Sequence, residues 1–137
     1  MKSFAHLSAV LAGAVLLLFL TGAAMAADGS LKITEMAVTT KISRNNPIDS
    51  VKRISSTSVK ALYCFTRLVN PSGTDTTIKH RWFKNGELVS EQELSVKGTK
   101  WRTWSKKPID RQSVGEWRVE AVDDIGRVLK RVEFKIN

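Results

Sequence analysis

Among its 137 residues the chain has one cysteine, three prolines, one tyrosine and two histidines. Each shortage excludes something. A lone cysteine, Cys64, makes no intrachain disulfide, so a fold stapled by its own bridges is ruled out. Beyond residue 26 only one histidine remains, His80, and one Cys with one His makes no zinc-binding spacing. Acidic residues are scarce, 13 against 22 Lys and Arg, for a formal net charge of +9. The length excludes a (β/α)₈ barrel, a full-size dinucleotide-binding fold and a pair of large domains. No Gly-rich phosphate loop and no Gly-x-Ser-x-Gly elbow occurs. We therefore expect no cofactor, no metal and no enzymatic activity.

Long apolar runs are also missing, except at the start. Lys2 gives a positive beginning, Leu7 to Leu20 is almost wholly apolar, and Ala24-Met25-Ala26 supplies small residues before a cut. Residues 1–26 read as a helical signal peptide cleaved after Ala26. The apolar run falls short of the roughly 20 residues that span a bilayer, so no stable membrane span is expected. The alternative is an uncleaved signal that anchors the chain in the inner membrane. The expected location is periplasmic or secreted, with residues 27–137 forming a single domain.

What remains is rich in Val, Thr, Ile, Trp and Phe, broken by Gly, Asn, Asp and Pro every ten or so residues, the pattern of an all-β sandwich. Seven strands are predicted: Ile33–Ile42, Ser58–Leu68, Thr76–Lys84, Glu87–Val96, Trp101–Ser105, Glu116–Val122 and Arg127–Ile136. The first aligns Met36, Val38, Thr40 and Ile42. The second is apolar on both faces and reads as a central strand, with Cys64 as a small buried hydrophobe. Asn85-Gly86 is a two-residue hairpin turn, which pairs Trp82 with Val89 and His80 with Glu91 unless a bulge intervenes. Trp117, Val119 and Ala121 share a face. Val128, Val132, Phe134 and Ile136 point inward. Asp28–Lys32 and Asn45–Thr57 read as flexible. Seven short strands in about a hundred residues suit a single immunoglobulin-like antiparallel β-sandwich.

Several short motifs recur in combination. They are Ile78-Lys79-His80-Arg81-Trp82, Trp101-Arg102-Thr103-Trp104-Ser105-Lys106-Lys107 and Gly115-Glu116-Trp117-Arg118-Val119. An Arg-x-x-Pro-x-Asp loop (Arg44 to Asp49), the pair Phe65-Thr66 and an Asp-x-x-Gly turn (Asp123 to Gly126) accompany them. On these residues, over about 33–136, the chain resembles the bacterial family catalogued as domain of unknown function 2914. The resemblance implies a compact β domain in an exported setting. It implies no activity, and no residue roles follow from it.

The most informative stretch for function is Lys100–Lys107. Strand alternation puts Trp101 and Thr103 on one face and Arg102, Trp104 and Lys106 on the other, so one indole packs inward while the other sits among cations. Arg118 could join that surface. Trp101, Arg102, Trp104, Lys106 and Arg118 are thus the candidate binding surface. Either a protein contact or a face for a sugar polymer or anionic group would use them. The plainer reading is an Arg–Trp stacking ladder that only stiffens the sheet. His80 with Glu91 is a weak candidate for acid–base work, more simply a structural histidine with a cross-strand partner. Asp123-Asp124 lacks the further ligands of a calcium loop and serves as a turn.

The basic charge invites a nucleic-acid reading. An exported protein rarely meets nucleic acid, and the cations are spread over every strand, so none is expected. The functional expectation is a non-enzymatic interaction module of the bacterial envelope, partnered by an envelope protein. The alternative is a carbohydrate- or anionic-polymer-binding module built on Trp101–Ser105. Oligomeric state is left open.

Overall fold

The computed structural model describes residues 30–137; the segment read as a signal peptide lies outside them. The strands are β1 (Lys32–Thr39), β2 (Ile42–Ser43), β3 (Asn46–Pro47), β4 (Arg53–Ile54), β5 (Ala61–Val69), β6 (Thr76–Lys84), β7 (Glu87–Val96), β8 (Lys100–Pro108), β9 (Gly115–Val122) and β10 (Val128–Ile136). The seven long ones correspond to the seven predicted. One sheet has the order β1-β5-β8, with β5 in the centre, and the other has the order β4-β10-β9-β6-β7. Face to face they make the expected β-sandwich. Its pairings are antiparallel except between the short β4 and β10.

Apolar alternation builds the interior. Val38, Leu62, Cys64, Trp82, Trp117, Val119, Ala121, Phe134 and Ile136 form the main core. Leu68, Ile78 and Val96 form a second cluster, against which Trp101 and Leu129 pack. In the main core the Trp82 ring meets Trp117 edge-on at 6.4 Å and Phe134 edge-on at 6.3 Å, while Trp117 and Phe134 stack at 5.9 Å. Such pairs add to the burial of large rings, which is how the sandwich holds without a disulfide. Both indole N–H groups of this aromatic cluster have partners, Trp82 on the Ser105 hydroxyl (3.1 Å) and Trp117 on the Ser113 carbonyl (2.7 Å).

Asn85 and Gly86 form the β6–β7 turn, both at positive φ (50° and 84°), as the sequence requires. The Asn85 side chain then accepts the Glu116 amide at 2.9 Å. This brings it so close to Gly115 that a Cβ there would lie 2.9 Å from its oxygen, so a larger residue at the start of β9 would have to push the Asn85 side chain away.

Three expectations are corrected. Strand β1 ends at Thr39, and Thr40 and Ile42 do not continue the face of Met36 and Val38, because the chain turns into the β2–β3 hairpin. A register shift between Val128 and Lys130 turns Val128 out, where it is 53% exposed, and Leu129 in. The stretch 45–57, read as flexible, is tied down. The Val51 amide bonds the Val38 carbonyl (2.7 Å), the Ser56 amide bonds the Asn137 carbonyl (2.9 Å), and the Lys135 amide bonds the Lys52 carbonyl (2.9 Å).

Candidate functional site

The site begins with an anomaly on the outer face of the β1-β5-β8 sheet. Along β5, Leu62, Cys64 and Leu68 point into the sandwich, so Tyr63, Phe65 and Arg67 point away from it. Yet Phe65 is fully buried while belonging to neither core cluster. Its cross-strand neighbours are Ala37 and Trp104, and the Arg67 guanidinium lies 6.0 Å from its ring centre. The β2–β3 hairpin reaches this face, where Arg67 Nη2 donates to the Asn46 side-chain oxygen at 3.0 Å.

That hairpin is held from both ends. At its tip Arg44 and Asn45 both adopt positive φ (51° and 62°), the turn that matches strand twist. At its base the Asp49 carboxylate accepts the Thr39 hydroxyl (2.6 Å), the Thr40 amide (2.9 Å) and the Thr40 hydroxyl (2.6 Å). Partial burial raises the Asp49 pKa, and these hydrogen bonds more than offset it, leaving the pKa below the ordinary value. The Arg-x-x-Pro-x-Asp motif therefore encodes a rigid flap over the outer sheet face.

Between flap and sheet runs a groove of about 670 Å³, walled by Asn45, Arg67, Lys100, Trp101, Arg102 and Trp104 among others. Its electrostatics are one-sided. Arg67 and Arg102 stand directly opposite each other across β5 and β8. Like charges so placed are destabilising. Glu35 relieves Arg67 in part, at 3.4 Å from Nη2, whereas Arg102 and Lys100 have no ion-pair partner among the described residues. Arg67 makes both its polar contacts through Nη2, and its buried Nε has no acceptor. Such a group costs on the order of 1–3 kcal/mol.

The two indoles of β8 separate. Trp101 faces the second core cluster, opposite Leu68, while Trp104 stands on the outer face opposite Phe65 and is half-buried. Arg102 and Lys106 share the outer face with Trp104 and are exposed. Arg118 is not with them. It lies on β9 in the other sheet, 4.1 Å over the Phe83 ring and 3.0 Å from Glu120, because β9 pairs with β6 and β10. The candidate surface read from the sequence left out Arg67, and also Lys100 and Asn45, which lie in the Lys100–Lys107 stretch and the Arg44–Asp49 motif. Alternation along β5 placed Arg67 opposite the core residues, but only the β5–β8 register sets it against Arg102.

His80 and Glu91 are also apart. A bulge between Trp82 and Phe83 pairs Trp82 with Ser90, Arg81 with Glu91 and His80 with Gln92. Glu91 therefore bonds Arg81 at 3.0 Å on the outer face. His80 is fully buried between the sheets, with Nε2 2.5 Å from the Thr66 hydroxyl and Nδ1 2.7 Å from the Ser105 hydroxyl. A neutral imidazole serves both hydroxyls, donating with one nitrogen and accepting with the other. Burial pulls its pKa down from 6.5 to about 4. Burial likewise pushes the Cys64 thiol up, away from the reactive thiolate. Asp123 has its carboxylate filled by the Ile125 and Arg127 amides (3.1 and 2.8 Å) and by Arg127 Nε (2.7 Å), as a turn requires.

Residues 75–136 match the family described as protein of unknown function (DUF2914). The resemblance drawn from the motifs is borne out over that stretch, which holds the Trp101–Lys107 strand but not the Arg44–Asp49 flap or Arg67. No curated protein matches the chain. Among solved structures it is similar to an immunoglobulin-like protein from Pseudomonas aeruginosa. The identity is 13% and the TM-score 0.55, with 81% of this chain and 99% of that one covered. It is also similar to the alkylpurine DNA glycosylase AlkC of Pseudomonas fluorescens, solved bound to DNA containing an abasic site analog. There the identity is 14% and the TM-score 0.52, and 86% of this chain covers 33% of that one. At such identities the likeness is one of fold, and it agrees with the immunoglobulin-like sandwich. Among the described residues no helix is long and apolar enough to cross a membrane.

Proposed function

We propose that this chain is a non-enzymatic binding module, exported to the bacterial envelope, and that the groove beneath the flap takes an acidic polysaccharide. The observation that carries this reading is Arg67 facing Arg102 beside a half-buried indole, in a groove walled by three cations, of which Arg67 alone has an acid within ion-pair distance among the described residues, Glu35. An anionic ligand relieves that repulsion, and a half-buried indole beside cations suits a sugar ring with charged substituents. The export signal read in residues 1–26 supports the envelope setting. A catalytic role for His80 has no support in its surroundings, since full burial keeps substrates from it.

Docking on an envelope protein, the other expectation, is less well supported. The exposed apolar side chains fall in several separate places along the chain, Leu88 and Val89 on β7, Ile125 and Val128 at the β9–β10 turn, and Ile48 and Val114 singly in other connections. The open strand edges are also partly covered. Val51 bonds the edge of β1, β4 covers β10, and the Gln92 side chain on β7 donates to the Lys106 carbonyl on β8 at 2.7 Å.

The test is titration of the purified protein with polygalacturonate, with dextran as a neutral control and a single-stranded DNA oligomer as a rival polyanion. Tryptophan fluorescence reports binding. We expect polygalacturonate to bind, weakening as salt rises, and Arg102→Ala with Trp104→Ala to lower the affinity at least tenfold while circular dichroism stays unchanged. Equal binding of dextran, preference for the DNA, or undiminished binding by the folded double variant would each overturn the reading.

A further inference from the structure

The groove does not end at Trp104. Trp104 and Asn45 also line a second concavity of about 430 Å³, whose other walls are Lys41, Ile42, Arg44 and Tyr63. The indole is therefore a saddle, with Arg67, Lys100 and Arg102 on one side and Lys41 and Arg44 on the other. Lys41 and Arg44 have no ion-pair partner among the described residues. The acid nearest to Arg44 in sequence, Asp49, is already engaged by Thr39 and Thr40. Arg44 is moreover held in the left-handed region, at φ 51°, a conformation that non-glycine side chains rarely adopt. The clamp at Asp49 and the Asn46–Arg67 bond keep the flap, and with it Arg44, in place before any ligand arrives.

We infer that the site is bipartite: a linear acidic polysaccharide lies across Trp104, with anionic groups on separate sugar units meeting the Arg67–Arg102 cluster and the Lys41–Arg44 cluster. A small anion would use one cluster only. Two clusters flanking one indole, with Tyr63 as a second aromatic, match a repeating charged chain, and joining them raises affinity through effective concentration. The inference rests on the groove reading given above and adds the second subsite and the need for length.

Oligogalacturonides from dimer to octamer are the probe, with affinity measured by calorimetry on the purified protein. The octamer is expected to bind at least tenfold tighter than the dimer. In Lys41→Gln/Arg44→Asn, where Asn tolerates the left-handed backbone, octamer affinity is expected to fall to the wild-type dimer value. Arg44→Lys, which keeps the charge, should retain most of the length gain. If the wild type binds octamer and dimer equally, or the double variant keeps the length gain, the second subsite is wrong and the groove reading stands. If no oligomer and no polygalacturonate binds the wild type, both fail together.

Discussion

The two outer faces of this sandwich solve the problem of a basic sequence in opposite ways. On the five-stranded sheet the charges neutralise one another. Arg81 and Lys79 share Glu91, Arg118 holds Glu120, Arg131 approaches Glu133, and Lys135 faces Glu116. On the three-stranded sheet Arg102, Lys100 and Lys106 have no ion pair among the described residues, and Arg67 confronts Arg102 with one glutamate to share. Surface ion pairs contribute little each, so the first arrangement is mostly solvation and spacing. The second leaves like charges adjacent in a concave surface, which costs stability and is the feature on which the proposed binding role rests. What distinguishes the faces is therefore where the acids fall rather than how many cations each carries.

Both faces rest on one interior, and breaking it should abolish the difference. Trp82 is fully buried and touches Trp117 and Phe134. Trp82→Ala should cost roughly 3–5 kcal/mol in urea unfolding. A loss under about 1 kcal/mol would show that the aromatic cluster does not hold the sheets together.

The interior also sets a pH dependence that neither face should share. Above pH 6.5 His80 is neutral whether the chain is folded or not, and the stability is full. As pH falls from 6.5 towards 4 the unfolded chain takes up a proton that the folded one refuses, because burial has lowered the folded pKa to about 4. Stability should drop by ~3 kcal/mol across that window, and His80→Gln should flatten the slope there. A slope that survives the substitution would place its origin elsewhere. Below this window Asp49 and Asp123, both held under the ordinary carboxylate pKa, lose their contributions as they protonate, in the same direction.

The comparison is sharpened by one substitution on each face. Arg118→Ala removes a cation stacked at 4.1 Å on Phe83 and a partner of Glu120, and should cost about 1 kcal/mol of stability, with polygalacturonate affinity unchanged. Arg102→Ala relieves the repulsion with Arg67 and should change stability by less than about 0.5 kcal/mol in either direction, while weakening polygalacturonate. The reverse pattern, with binding lost through Arg118 and stability through Arg102, would exchange the roles of the faces.

Much of the scaffold was legible because it is local. Trp117, Val119 and Ala121 alternate within one strand and are all buried. Asn85-Gly86 needs only its own φ angles to make the turn. Cys64 sits in an apolar stretch and is buried. The site was legible only in part, because its members are far apart in the chain. Trp104 and Arg102 could be read as sharing a face, but Arg67 meets Arg102 through a pairing of strands more than thirty residues apart. Asn46 reaches Arg67 from a flap that the sequence showed only as a loop motif. The Trp82–Phe83 bulge moved Glu91 from His80 to Arg81, since one extra residue shifts every later pair.

By itself, then, the sequence determined the seven long strands, the shared inward face of Trp117, Val119 and Ala121 and the turn between β6 and β7, since alternation and turn chemistry act over a few residues. Tertiary structure alone decided which cations stand together, which are neutralised and where the flap lies. Cross-strand register and sheet order join residues whose local patterns carry no record of each other.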